Sequence, residues 1–428
     1  MEQQQELSDL DIKEFKNKIL LYGSQSKNFA FFDSNHFSKS AKSTTYYEYD
    51  FLAAIHSTNE ILNPDELQEF CAGHHEWLFG FLTYDLKNKI EVLDSRNIDQ
   101  LEFPELHFFI PEIVIYSKNS VVSVLYHDEK SKNKILDLIA GIEENSSENK
   151  KSDSQIGLNQ RFTKEEYVNT VNKLKEHIQY GDIYELNFCQ EFFTSRDIDP
   201  LHTYKKLNEV SPTPFSCFYK TDDKFLFSAS PERFLKKIKT KVISQPIKGT
   251  IKRGENDQDD DILKSQLLND PKERAENVMI VDLVRNDLSR TAKKGSVFVE
   301  ELYGIYSFKQ VHQMISTVSS EVTEDMNIIE IIKNAFPMGS MNGAPKIKAM
   351  QLIEKHEKTK RGLYSGSVGY ITPDNDFDFN VVIRSILYNQ SKNYVSFTVG
   401  GAITGLSDPE KEYEECMVKA EAMIKALS

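Results

Sequence analysis

The 428-residue chain is long enough for one large domain or two to three ordinary ones, and its 39% hydrophobic and 28% charged residues belong to a globular protein with a substantial core. A net charge of −14 argues against a nucleic-acid binder, which needs a basic surface to neutralise phosphates. There is no run of roughly eighteen apolar residues, so no membrane span is expected; residues 1–6 lack the basic region and apolar segment of a signal peptide, which points to a cytoplasmic location. Cys71, Cys189, Cys217 and Cys416 are scattered and form no CxxC pair, which excludes a disulfide scaffold and a zinc site and fits a reducing compartment.

In chain order, aromatic or alternating runs at 29–32, 77–84 and 113–126 predict strands, giving a β-rich N-terminal region over 1–140. Residues 141–160 are polar and rich in Ser, Asn, Glu and Lys, and read as a loop or linker before a main domain over 161–428. A helix begins at Thr163, where Thr163 and Glu166 form a capping box and Tyr167, Val171, Leu174 and Ile178 recur at helical spacing up to Gly181. Strand-like runs follow at 225–228, 234–238 and 242–247. Asp270-Pro271 then starts a second helix, as an N-cap followed by a proline at the first helical position. A third helix starts at Pro345. Strands at 366–371, 381–388 and 395–399 precede a fourth helix from Asp408-Pro409. Strands punctuated by helices imply an α+β or layered α/β architecture.

Several residues along this frame have both a structural and a chemical reading. Lys248 is either a solvated guard on an edge strand or a desolvated amine acting as nucleophile or anion ligand. Glu232, in SPERF, is either a surface carboxylate or an acid that protonates a leaving hydroxyl. The helix over 271–290 is largely apolar yet carries Glu276, Asp282, Arg285, Asn286 and Asp287. Buried charges must be paired or bind a metal, so an internal network of Asp282, Arg285 and Asp287 stands beside a hard cation on Glu276. In the last helix, Glu412, Glu415 and Lys419 lie beside the apolar stripe, and the pattern alone reads them as a solvated face with one helix ion pair. The Gly343-Ala344-Pro345 and Gly400-Gly401-Ala402 turns expose backbone N–H groups suited to a carboxylate.

Taken in order, GDIYELNFCQEF, SPERF, PIKGT, KERAENVMIVDLVRNDLSR, NGAPKIKAMQLI, RGLYSGSVGY, VIRSI and EYEECMVKA resemble the chorismate-binding enzymes, with a fainter N-terminal match through WLFGFLTYDL. That family includes anthranilate, aminodeoxychorismate, isochorismate and salicylate synthases. The resemblance implies a layered α/β (α+β) fold, with two large antiparallel sheets in a sandwich flanked by helices. It implies Mg²⁺ on Glu276 and Glu415, with Glu412 a direct or water-mediated ligand. It also implies chorismate held by Gly249, Thr250, Tyr364, Arg384, Gly400, Gly401, Ala402 and Lys419, and a His312 that faces the substrate ring. Lysine at 248, where anthranilate synthases carry alanine, implies the aminodeoxychorismate branch: Glu232 as acid, Lys248 as covalent nucleophile, and ammonia from a glutamine amidotransferase subunit. Anthranilate synthase chemistry and a non-catalytic chorismate-binding paralogue are the rival readings. Two positions depart from the family pattern. Glu185 stands where glutamine or lysine is usual. Asn342 stands where Ser or Thr usually precedes GAPK, and is read as still able to bond a substrate.

Overall fold

Side chains alternate across a strand, so Phe29 and Phe31 of the strand Asn28–Asp33 face one way while Ala30 and Phe32 face the other. The strand Phe51–Ile55 divides in the same way, with Leu52 and Ala54 opposite Phe51, Ala53 and Ile55. Strands apolar on both faces must be covered on both. The computed structural model describes residues 3–7, 10–35, 37, 46–141 and 157–428, and it meets this demand with two sheets face to face and helices outside each. The larger sheet has twelve strands, running from Gln3–Leu7 at one edge to Gly343–Ala344 at the other. The second has ten, running from Ile247–Lys252 to Asn59–Ile61. Every strand pairing within them is antiparallel.

The helices Lys164–Gln179, Pro200–Val210, Lys346–His356 and Pro409–Leu427 cover the outer face of the larger sheet. Pro271–Ser289 and Ile328–Ala335 pack apolar residues into the other core. The expected linker falls mostly on 142–156, outside the described residues. On either side of it, N-terminal strands pair with later ones in both sheets: Phe31 opposite Phe218 in the larger, Gly80 opposite Gly369 in the smaller.

Helix starts follow local chemistry. The Thr163–Glu166 capping box is formed, Asp270 accepts from the Lys272 and Glu273 amides, and Asp408 accepts from those of Glu410 and Lys411. Two strand expectations need correction. The run 113–126 is a hairpin, Ile113–Lys118 and Val121–Tyr126, because Asn119 and Ser120 take the left-handed conformation that a two-residue turn requires. The run 381–388 is not one strand. Phe377–Val381 ends in the smaller sheet and Ser385–Asn389 begins in the larger, with Arg384 (φ 50) at the crossing. The segment after Lys224–Ser230 makes the same crossing into Arg233–Ile238, with Glu232 in the passage. The two crossings run side by side: the Val381 amide donates to the Glu232 carbonyl (3.0 Å) and the Ala229 amide to the Arg384 carbonyl (3.2 Å).

A buried ion pair ties this region to the helix layer. Arg361 holds Glu357 through Nε and Nη2 (3.0 and 2.6 Å) and donates to the carbonyls of Met341 (2.6 Å) and Asn187 (2.8 Å). Glu357 in turn accepts from the Cys189 amide at 2.9 Å. Removing one partner of such a pair leaves an uncompensated buried charge. Arg361→Ala is therefore expected to lose about 3–5 kcal/mol of stability, read as a lowered midpoint in urea unfolding.

Candidate active site

The Glu232 carboxyl is 5% exposed, and its Oε1 accepts from Ser340 Oγ at 2.6 Å. Burial pushes its pKa up to about 7, against the opposing effects of Ser340, the Lys248 charge and the Ile247 amide. Near neutrality a large share of Glu232 therefore carries a proton. Past the adjoining strand, Pro246 leads the chain into Ile247–Lys252, where the Lys248 side chain is only 12% exposed. The edge-guard reading of Lys248 does not hold. Its Nζ lies 3.9 Å from Oε1 of the buried Glu185, and its charge acts on Glu232, Glu276 and Glu415. Asn277 Nδ2 donates to the Lys248 carbonyl (3.3 Å), locking this strand to the helix Pro271–Ser289. Gly249 sits at φ 101, and a Cβ there would stand 3.2 Å from both Glu273 Oε2 and Met314 Cβ.

Glu276 projects from the same helix, with its side chain 12% exposed and Oε1 buried without a hydrogen-bond partner. From the C-terminal helix, Glu412, Glu415 and Lys419 gather over Gly401. A Cβ on Gly401 would lie 3.2 Å from Glu412 Oε2, 3.8 Å from Lys419 Nζ and 3.9 Å from Glu415 Oε1. Lys419 pairs with Glu415 at 2.7 Å and donates to the Gly400 carbonyl at 2.9 Å. The helix ion pair expected from spacing is present, but Glu412 is buried rather than solvated. Burial raises the pKa of Glu276 and of Glu412, and the Glu415 charge adds to both; Lys419 lowers that of Glu415. The two helices thus present carboxylates within electrostatic reach of each other. Arg384 forms no ion pair with a carboxylate of the described residues, and burial lowers its pKa, a cost that an anion beside it would offset.

Other expected residues are placed differently. His312 is fully buried, with Nδ1 at 2.8 Å from Ser307 Oγ and Nε2 at 3.1 Å from Asp260 Oδ1, so no ring nitrogen is left for a substrate. The Tyr364 hydroxyl lies 3.4 Å from Cys189 Sγ in the interior, and Thr250 is exposed. The reading of Asn342 as a substrate contact is corrected: its amide accepts from Tyr84 Oη and donates to the Met338 carbonyl, both at 2.7 Å. The proposed Asp282–Arg285–Asp287 network is also split. Arg285 pairs with Asp282 at the surface (3.0 Å), and the buried Asp287 pairs with Lys346 (3.0 Å).

Sequence reading missed Ser340, Lys272 and Glu273. Burial and the Glu276 charge push Glu273 up to about 7. The Lys272/Glu276 spacing of four was visible, but the approach of Glu273 to Gly249 is tertiary and left no local signal.

Among the described residues no group of three or more His, Cys, Asp or Glu side chains stands close enough to hold a metal. Magnesium, however, commonly takes one or two carboxylates and keeps several waters. An all-oxygen donor set that includes the unpartnered, buried Oε1 of Glu276 fits such an ion.

Glu232 also makes stability depend on pH. Its folded pKa lies above the ordinary 4.5, so the folded protein binds the extra proton, and stability falls as pH rises between about 4.5 and 7. Glu232→Gln removes that cost. It is expected to be more stable than the parent by about 3 kcal/mol at pH 8 and equal to it at pH 4, as urea unfolding at the two pH values would show.

Comparison with known proteins bears on this arrangement. The family described as chorismate binding enzyme matches residues 17–425. Aminodeoxychorismate synthase component 1 of Bacillus subtilis is 32% identical over 393 residues, covering 89% of this chain and 83% of that one. Anthranilate synthase component 1 of Aquifex aeolicus is 33% identical over 382 residues, covering 85% and 76%. The crystal structure of anthranilate synthase component I from Streptococcus pneumoniae shares the fold, with a TM-score of 0.79 at 24% identity over 91% of this chain and 94% of that one. No helix among the described residues is long and apolar enough to cross a membrane.

Proposed function

The chain belongs to the chorismate-binding enzyme family, and from that premise we propose that it is an aminodeoxychorismate synthase component, aminating chorismate at ring carbon 4. The observation that carries the reading is a largely buried Lys248 amine whose charge acts on Glu232, an acid whose pKa lies close to neutrality. The alternative branch is represented by the Aquifex relative at similar identity; the lysine at 248 favours the aminodeoxychorismate reading over it.

Glu232 gives its proton to the departing C4 hydroxyl, which leaves as water, while Lys248 Nζ bonds to ring carbon 2. Ammonia then bonds to C4, the Lys248–C2 bond breaks, and 4-amino-4-deoxychorismate is formed. The covalent lysine divides one hard substitution into two easier ones. A pKa near the working pH lets Glu232 give up a proton and regain it. Arg384 and Lys419 meet the substrate carboxylates, Arg384 with a bidentate fork and Lys419 with a point charge. Gly249 and the Gly400–Ala402 turn complete the substrate's surroundings. Magnesium held by Glu276 and Glu415, with Glu412 direct or through water, would supply the charge that anchors a substrate carboxylate. The relatives' designation as component 1 supports a separate glutamine amidotransferase as ammonia donor. The product is a precursor of 4-aminobenzoate and hence of folate.

With chorismate, Mg²⁺ and an ammonium salt, the protein is expected to form 4-amino-4-deoxychorismate; anthranilate and pyruvate would instead place it in the other branch. Intact-mass spectrometry with chorismate but no ammonia should detect an adduct that Lys248→Ala abolishes. Amination at an unchanged rate in that variant would rule out the covalent route.

A further inference from the structure

We propose that Lys272 is the resident cation of the carboxylate cluster, occupying the position a divalent ion takes and leaving it when that ion binds, so that Lys272 sets the cluster's cation affinity. This rests on the magnesium reading above and deepens it.

Lys272 lies one helical turn before Glu276, and its Nζ stands 3.7 Å from Glu276 Oε1, the buried oxygen without a hydrogen-bond partner. Of the other two lysines at the site, Lys419 is bonded to Glu415 and the Gly400 carbonyl, and Lys248 stands nearest Glu185, at 3.9 Å, rather than a carboxylate of this cluster. The Lys272 charge reaches all four of Glu273, Glu276, Glu412 and Glu415. Its contact is loose. At 3.7 Å the ammonium is beyond hydrogen-bond reach of Glu276, and 46% of its side chain is exposed on a flexible four-carbon stem, so it can swing into water at little cost.

A hard dication seeks the same oxygens at much shorter range. Lysine and metal cannot share the position. Among the described residues the carboxylates do not form a three-ligand group. Buried like-charged carboxylates repel one another unless a cation lies among them. Lys272 meets that need in the metal-free protein, and the dication must displace it.

The test uses the full chain and Mn²⁺ as probe, with binding read from the electron paramagnetic resonance of the free aquo ion and stability from thermal unfolding. The parent is expected to bind one ion. Lys272→Gln should bind it about tenfold more tightly, melt lower than the parent without metal, and gain more in Tm on adding Mn²⁺. Lys272→Arg, which keeps the charge, should retain the parent affinity. Lys264→Gln, an equal charge change on the separate helix Asp257–Asn269, should do the same. Equal affinities and equal metal-free melting of the parent and Lys272→Gln would overturn the proposal while leaving the magnesium reading intact. If neither protein binds Mn²⁺, that reading falls and the proposal falls with it.

Discussion

The site depends on two chain crossings between sheets that run side by side. Each strand leaves one sheet and enters the other, and two backbone hydrogen bonds, Val381 to Glu232 and Ala229 to Arg384, hold the passages together. A crossing cannot continue a sheet's ladder, so its side chains are directed by the passage rather than by the pleat. Glu232 enters the interior and finds Ser340; Arg384, in a left-handed conformation, forms no ion pair with a carboxylate of the described residues. Such conformations are strained for a residue other than glycine and persist only when the surroundings over-determine them. Here the two flanking sheets do so.

Burial at these crossings determines the chemistry available. The same desolvation that raises Glu232 and Glu273 to about 7 also raises Glu276 and Glu412 above the ordinary carboxylate value. Lysines and an arginine balance them from different elements: Lys248 from an edge strand, Lys272 from a helix start, Lys419 from the last helix and Arg384 from a crossing. No single element could supply both signs at this density without pairing them internally, as Asp282 and Arg285 do at the surface. Bringing four elements together keeps part of the charge available for a dianionic substrate. The Arg361–Glu357 pair secures the wall opposite, joining the Met341 loop and the strand Glu185–Ser195 to the helix layer.

By itself the sequence determined the helix starts at Thr163, Asp270 and Asp408, because caps are interactions of a residue with its neighbours two or three positions on. Family resemblance carried the two-sheet sandwich and pointed to Lys248, Glu232, Glu276 and Glu415, but by pattern rather than by local physics. Periodicity ran two sheets' strands together at 381–388, since an apolar run looks the same whether it stays in a sheet or leaves it. Only the tertiary structure decided that His312 and Asn342 spend their polar atoms inside the protein, that Asp287 belongs to Lys346, and that Glu185, Glu273 and Lys272 stand at the site. The physical reason is range: a cap is settled within one turn of chain, whereas whether a polar group is buried, paired or free depends on partners far off in the chain, such as Tyr84 for Asn342, 258 residues away.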